Sequence, residues 1–131
     1  MAWERQLDEA QEWLRSWTAQ ISQRAEAATA LSDRVAALES TAEDLDGAVR
    51  VRVDGAGRLV GLELGERARD LSAAGLAEVI MGTVARAQHG LNARVAEAVA
   101  ETVGADTETG RAVLNSFAHR YPDPDQSDER R

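Results

Sequence analysis

Cysteine is absent from the 131 residues, which excludes disulfides, thiolate metal sites and a cysteine nucleophile. Lysine is absent too. All 15 basic residues are arginine, and with the abundant alanine this reads as the codon usage of a GC-rich bacterium. Aromatic residues are scarce, with three Trp, one Tyr and one Phe, so the core is expected to be thin and built from helix faces. Such a core points to a chain completed by a partner. No apolar run approaches the roughly 18 residues of a membrane span. The N-terminus lacks the charged-then-apolar layout of a signal segment, so a cytoplasmic protein is expected.

Catalytic patterns are missing as well. There are two histidines, His89 inside a helical pattern and His119 near the C-terminus, and neither has a metal-ligand spacing to another ligand. The positions an i,i+4 metal pair would need beside His89 are both alanine, Ala85 and Ala93. No nucleophile elbow, phosphate-binding loop or dinucleotide fingerprint is present. The reading is non-enzymatic, with no catalytic residue, metal ligand, cofactor or small-molecule substrate.

What is present centres on Gly47 to Leu64. Val49, Val51 and Val53 alternate with Arg50 and Arg52, the period-two pattern of a half-buried strand. Asp54-Gly55-Ala56-Gly57 is a turn cluster, and Val60, Leu62 and Leu64 alternate again after it. A β-hairpin follows. Centring its turn on Gly55-Ala56 pairs Val53 with Arg58, Val51 with Val60 and Val49 with Leu62, and puts the apolar residues of both strands on one face. An isolated hairpin is marginal in water, so flanking segments must cover that face.

Ahead of the hairpin, Ala2 to about Leu38 holds no Gly or Pro. Trp3, Leu7, Ala10, Leu14, Trp17, Ile21, Ala28, Leu31, Val35 and Leu38 recur in steps of four and three, interrupted at Arg24. A helix of roughly 50 Å with one apolar seam is expected. The seam is longer than the hairpin can cover, so it meets either a second copy of the chain or another helix of its own. Trp13 lies off the seam. Ser40 to Asp46 reads as loop or as a short edge strand. After the hairpin, Ser72 is a plausible N-cap for a helix from about Ala73 to Val103, closed by Gly104. Its seam is Leu76, Ile80, Thr83, Ala87, Leu91, Val95 and Ala98, with Gly82 and Gly90 permitting close approach. Residues 106–118 could add a helical turn or two, docking Ala112, Val113, Leu114 and Phe117. The run after His119 has two prolines and no periodicity, and a disordered tail is expected there.

The net charge is −8, unevenly spread. Residues 1–46 carry 10 acids and 4 arginines, whereas residues 47–72 carry 4 acids and 5 arginines. Arg50 and Arg52 point away from the valine face, either as a solvated face or as a surface for phosphate, which the planar guanidinium fork suits.

The order of a long helix, then Gly47-Ala48-Val49-Arg50-Val51-Arg52-Val53-Asp54-Gly55, Gly57-Arg58-Leu59 and Gly61-Leu62-Glu63-Leu64, then Leu76-Ala77-Glu78-Val79-Ile80 opening a second helix, resembles the YbaB/EbfC family in its actinobacterial branch. The resemblance covers about residues 1–103. It implies an α+β fold of order α-β-β-β-α over residues 1–104, with residues 40–46 as the first strand of a three-stranded antiparallel sheet. Residues 105–131 would form a C-terminal extension. It also implies a tweezer-like homodimer associated with the nucleoid, holding double-stranded DNA with little sequence preference. The DNA contacts would come from Arg50, Arg52, Arg58, Arg67, Arg69 and Arg86. The dimer interface would comprise Leu7, Leu14, Trp17, Ile21, Val49, Val51, Val53 and Leu62. Relatives also serve as accessory proteins of type VII secretion, so an adaptor that uses the fold to bind another protein is the alternative.

Overall fold

The computed structural model describes residues 2–125. A long helix α1 (Ala2–Ala36) leads into three strands, β1 (Glu39–Asp44), β2 (Val49–Asp54) and β3 (Leu59–Leu64), followed by α2 (Ala73–Glu101) and α3 (Glu108–Arg120). The sheet is antiparallel with strand order β1-β2-β3. The fold is therefore α+β, with the α-β-β-β-α order expected and α3 appended. Among the described residues no helix is long and apolar enough to cross a membrane.

The core forms where α2 crosses the inner face of β1 and β2. Val49, Val51 and Val53 are fully buried there against Thr83, Ala87, Leu91 and Val95, the seam that the sequence marks. The Thr83 hydroxyl is satisfied by donating to the Val79 carbonyl at 2.7 Å. At Gly90 a Cβ would come within 2.6 Å of the buried Ser40 hydroxyl, so only glycine lets α2 lie this close to β1. Gly82 has no such neighbour and permits no approach, contrary to expectation. Ser72 caps α2 by accepting from the Gly75 N–H at 3.0 Å. The Gly104 N–H bonds to the Val99 carbonyl past the helix end, and its φ of 89° is the left-handed conformation glycine allows.

Three expectations need correction. The hairpin register is Val51↔Leu62 and Val49↔Leu64, two residues from the one expected. Asp54 N–H donates to the Arg58 carbonyl, which makes a three-residue loop of Gly55, Ala56 and Gly57, and an irregularity beside Val60 adds the second shift. Because the two shifts sum to an even number, Leu62 and Leu64 still share the valine face. Second, Val49, Val51 and Val53 do not face a second copy: α2 of the same chain covers them completely. Third, ordered structure continues beyond His119. The Tyr121 hydroxyl donates to the Ala56 carbonyl at 2.8 Å, and the Tyr121 carbonyl accepts from Asn92 Nδ2 at 2.8 Å. Phe117, with its ring 6.0 Å from that of Tyr121, is buried beside them, while Ala112 is exposed. The part of the expected tail at residues 126–131 lies outside the described residues.

Two apolar surfaces are left over. α2 covers β1 and β2 but barely reaches β3, so Leu59, Val60, Leu62 and Leu64 remain exposed. α1 touches the body only near its C-terminal end, through Leu31 and Val35 and an Arg34–Glu101 ion pair, with Leu38 just beyond it packed on the same core. At Gly55 a Cβ would run into the Val35 carbonyl. Residues 2–26 are exposed throughout, an arm of about 37 Å.

The docked Tyr121 yields a stability prediction. Tyr121→Phe removes one hydrogen bond and should cost about 1 kcal/mol. Tyr121→Ala also removes the ring packed on Gly57 and should lower Tm further, by several degrees. A thermal melt of Tyr121→Ala that coincides with wild type would show that the extension does not clamp the hairpin.

Candidate nucleic-acid interface

The six arginines expected to meet DNA fall into three groups. Arg50 and Arg52 stand on the outer face of β2, opposite the valines. Arg58 follows the hairpin loop, and Arg67 and Arg69 lie on the 3₁₀ turn Glu66–Asp70 that leads to α2. Arg86 is on α2, half-buried against β1.

Five of the six are held by carboxylates of the same chain. Antiparallel pairing sets Glu43 on β1 and Glu63 on β3 directly across from Arg50. Arg50 donates to Glu43 at 2.7 Å, with Glu63 at 3.8 Å on its other side. Arg52 reaches Glu39 at 3.4 Å. Arg67 pairs with Asp46 at 2.6 Å, and Arg86 with Asp44 at 3.3 Å and the Glu43 carbonyl at 2.9 Å. Arg69 alone of the six makes no ion pair among the described residues. β1 and the turn after it are thus a comb of acids, Glu39, Glu43, Asp44 and Asp46, that meets four of the arginines. Sequence reasoning missed these partners. The signal was four acids within eight residues immediately before the arginine-bearing strand, and it becomes readable once residues 39–44 are known to pair with β2.

These pairs are exposed, apart from the half-buried Arg86–Asp44. Exposed ion pairs contribute only about 0–1 kcal/mol each, so each is weak enough for a phosphate to displace the carboxylate. Arg86 is different in kind, because its bonds tie α2 to β1. No group of three or more potential metal ligands occurs among the described residues.

Arg58 belongs to the best-organised part of the surface. Asp54 Oδ1 accepts from the Ala56 and Arg58 backbone N–H groups, both at 3.0 Å, while Oδ2 accepts from Arg58 Nε at 3.0 Å. The Arg58 backbone N–H is the main reason the Asp54 carboxyl is held below the usual carboxylate range; desolvation opposes it as the next largest effect, and the Arg58 guanidinium and the Ala56 N–H add to the lowering. A depressed folded-state pKa stabilises the fold above the unfolded value of about 3.9. That stabilisation is lost as pH falls through the lower, folded value. Asp54→Ala should accordingly melt below wild type at pH 7, with the gap closing in acid below about pH 4. A gap that stays constant from pH 7 to pH 3 would contradict the role given to the Asp54 carboxylate.

The sheet and its arginine row, bracketed by two helices, also find a counterpart among known proteins. Comparison with curated proteins returns no match. The model of the YbaB/EbfC DNA-binding family matches residues 5–106, which include the sheet, all of α2 and nearly all of α1. The chain belongs to the YbaB/EbfC DNA-binding family, a family of nucleoid-associated proteins.

Proposed function

We propose that the protein is a cytoplasmic, nucleoid-associated homodimer that holds duplex DNA through backbone phosphates, with little preference for sequence. The observation that carries this reading is the outward row of Arg50 and Arg52, continued by Arg58, in a chain of this family. The carboxylate partners of Arg50 and Arg52 are exposed and exchangeable, whereas Asp54, the partner of Arg58, is largely covered and fixed in the hairpin loop. Strand-borne guanidinium groups can meet phosphates, and with no recognition helix carrying them they are assigned to the backbone rather than to base edges.

The uncovered face of β3 supplies the dimer surface. Leu59, Val60, Leu62 and Leu64 form an apolar edge strand that carries only Glu63 as a guard against pairing. A second copy laid against it removes the exposed edge and brings two arginine rows into one assembly. Two copies of Arg50, Arg52 and Arg58 give at most about six phosphate contacts, each adding about −0.9 to the log–log salt slope.

A second reading, a non-enzymatic adaptor that binds another protein, is favoured by the same ion pairs, since an arginine already neutralised need not seek phosphate. A salt-titrated electrophoretic shift separates the two. The DNA reading predicts micromolar or weaker binding near physiological salt, a steep loss with added salt and equal affinity for unrelated duplexes. Arg50→Ala with Arg52→Ala should weaken binding to every duplex and flatten the slope. No shift at about 50 mM salt, a condition that favours phosphate contacts, would leave the adaptor as the better account.

A further inference from the structure

The arm of α1 carries Trp3, Leu7, Trp13, Leu14, Trp17 and Ile21, each between 45 and 64% exposed. All three tryptophans of the chain lie on it. Trp13 and Trp17 stack with ring centroids 6.2 Å apart and planes 7° from parallel. The arm is also remote from the β3 surface. Leu64 borders Leu76 at the start of α2, whereas Arg34 meets Glu101 at its end, and the 29 residues of α2 between them span about 43 Å. One isologous contact cannot cover both surfaces.

We propose that the arms of two copies pair with each other as an antiparallel coiled coil whose dyad passes beside residue 12. The sizes of the seam residues select this arrangement. In a parallel pair, like meets like: Trp3 on Trp3, Ala10 on Ala10, Trp17 on Trp17, and two Arg24 side chains face each other in the seam. That is two overfilled layers, one void and one repulsive layer. In an antiparallel pair centred at residue 12, Ala10 faces Leu14, Leu7 faces Trp17 and Trp3 faces Ile21, so each small or medium side chain meets a larger one. Arg24 falls beyond the overlap. Trp13, off the seam in one copy, comes beside its own mate at the dyad and joins the Trp17 stacks.

Charge selects a second copy as the occupant. The positions flanking the seam are Gln6, Gln11, Thr18 and Gln20, with Glu4 as the exception, while Asp8, Glu9, Glu12 and Arg15 point away from it. Two copies of a chain of net charge −8 can approach along this neutral strip without like charges meeting. A partner of opposite charge would find nothing there to pair with. Six half-exposed tryptophans at roughly 100 Å² each, with the Leu and Ile side chains, reach the order of 1,000 Å² that a specific interface needs. This pairing deepens the homodimer reading: dimers formed through β3 would be joined at their arms into longer assemblies.

The absence of native cysteine makes the test direct. On mild oxidation Gln11→Cys should cross-link to its own copy, Glu4→Cys should not, and a mixture of Glu4→Cys with Thr18→Cys should give the mixed species. Gln11→Cys cross-linking should be lost with Leu14→Asp and kept with Leu62→Asp. Leu14 is exposed on the arm, so circular dichroism should show that body still folded. Failure of Gln11→Cys to cross-link, equal cross-linking of Glu4→Cys, or loss of the cross-link in Leu62→Asp would overturn the proposal. The β3 dimer is judged separately by sedimentation of Leu14→Asp without added cysteine, which is a dimer if that surface works and a 14.1 kDa species if it does not.

Discussion

Burial of the β2 valines beneath α2 is the contact on which the rest of the structure depends. Three fully buried valines contribute about 1.5–3 kcal/mol each, a large share of the roughly 5–15 kcal/mol that holds a domain together. With few aromatics available, no other cluster among the described residues competes with this one. A single helix can cover only two strands, however. α2 therefore crosses β1 and β2 and leaves β3 bare, while α1 contributes just Leu31 and Val35 to the same core. Both apolar surfaces offered for association follow from that one-helix coverage.

The electrostatics follow from the same pairing. Once β1 lies antiparallel to β2, its acids stand opposite the arginines by register. The outer face of the sheet is consequently a mixed lattice, with Glu39, Glu43, Asp54 and Glu63 set among Arg50, Arg52 and Arg58. Such a face has no strong field to steer a polyanion from a distance. In the DNA complex proposed above, phosphate would be held by local exchange of one oxyanion for another, a loose grip rather than tight capture.

What the sequence made legible was local. The helical period of α1, the alternation across the hairpin, the Ser72 cap, Gly104 and the buried face of α2 all rest on short-range rules, and the structure shows each of them. The register was missed because one carboxylate, Asp54, organises a three-residue loop, and a bulge beside Val60 adds another residue. β1 stayed ambiguous because its Ser, Thr and acids have weak strand propensity, and pairing with β2 overrides it. Tyr121 looked like part of a tail because its partners, Ala56 and Asn92, are far away in sequence. The arginines were legible as a group, but their neutralisation was not, since it is a property of three strands together.

The proposed DNA complex sets phosphate and carboxylate in competition for the same guanidinium groups. It is tested most directly by measuring DNA affinity after Glu43→Gln with Glu63→Gln, the two acids that flank Arg50. A control variant, Asp8→Asn with Glu9→Gln, changes net charge equally on the distant arm. The sheet variant should bind more tightly than the control, with both tested at the same salt. Equal affinities, or weaker binding by the sheet variant, would show that Arg50 is not a phosphate contact held in check by its neighbours.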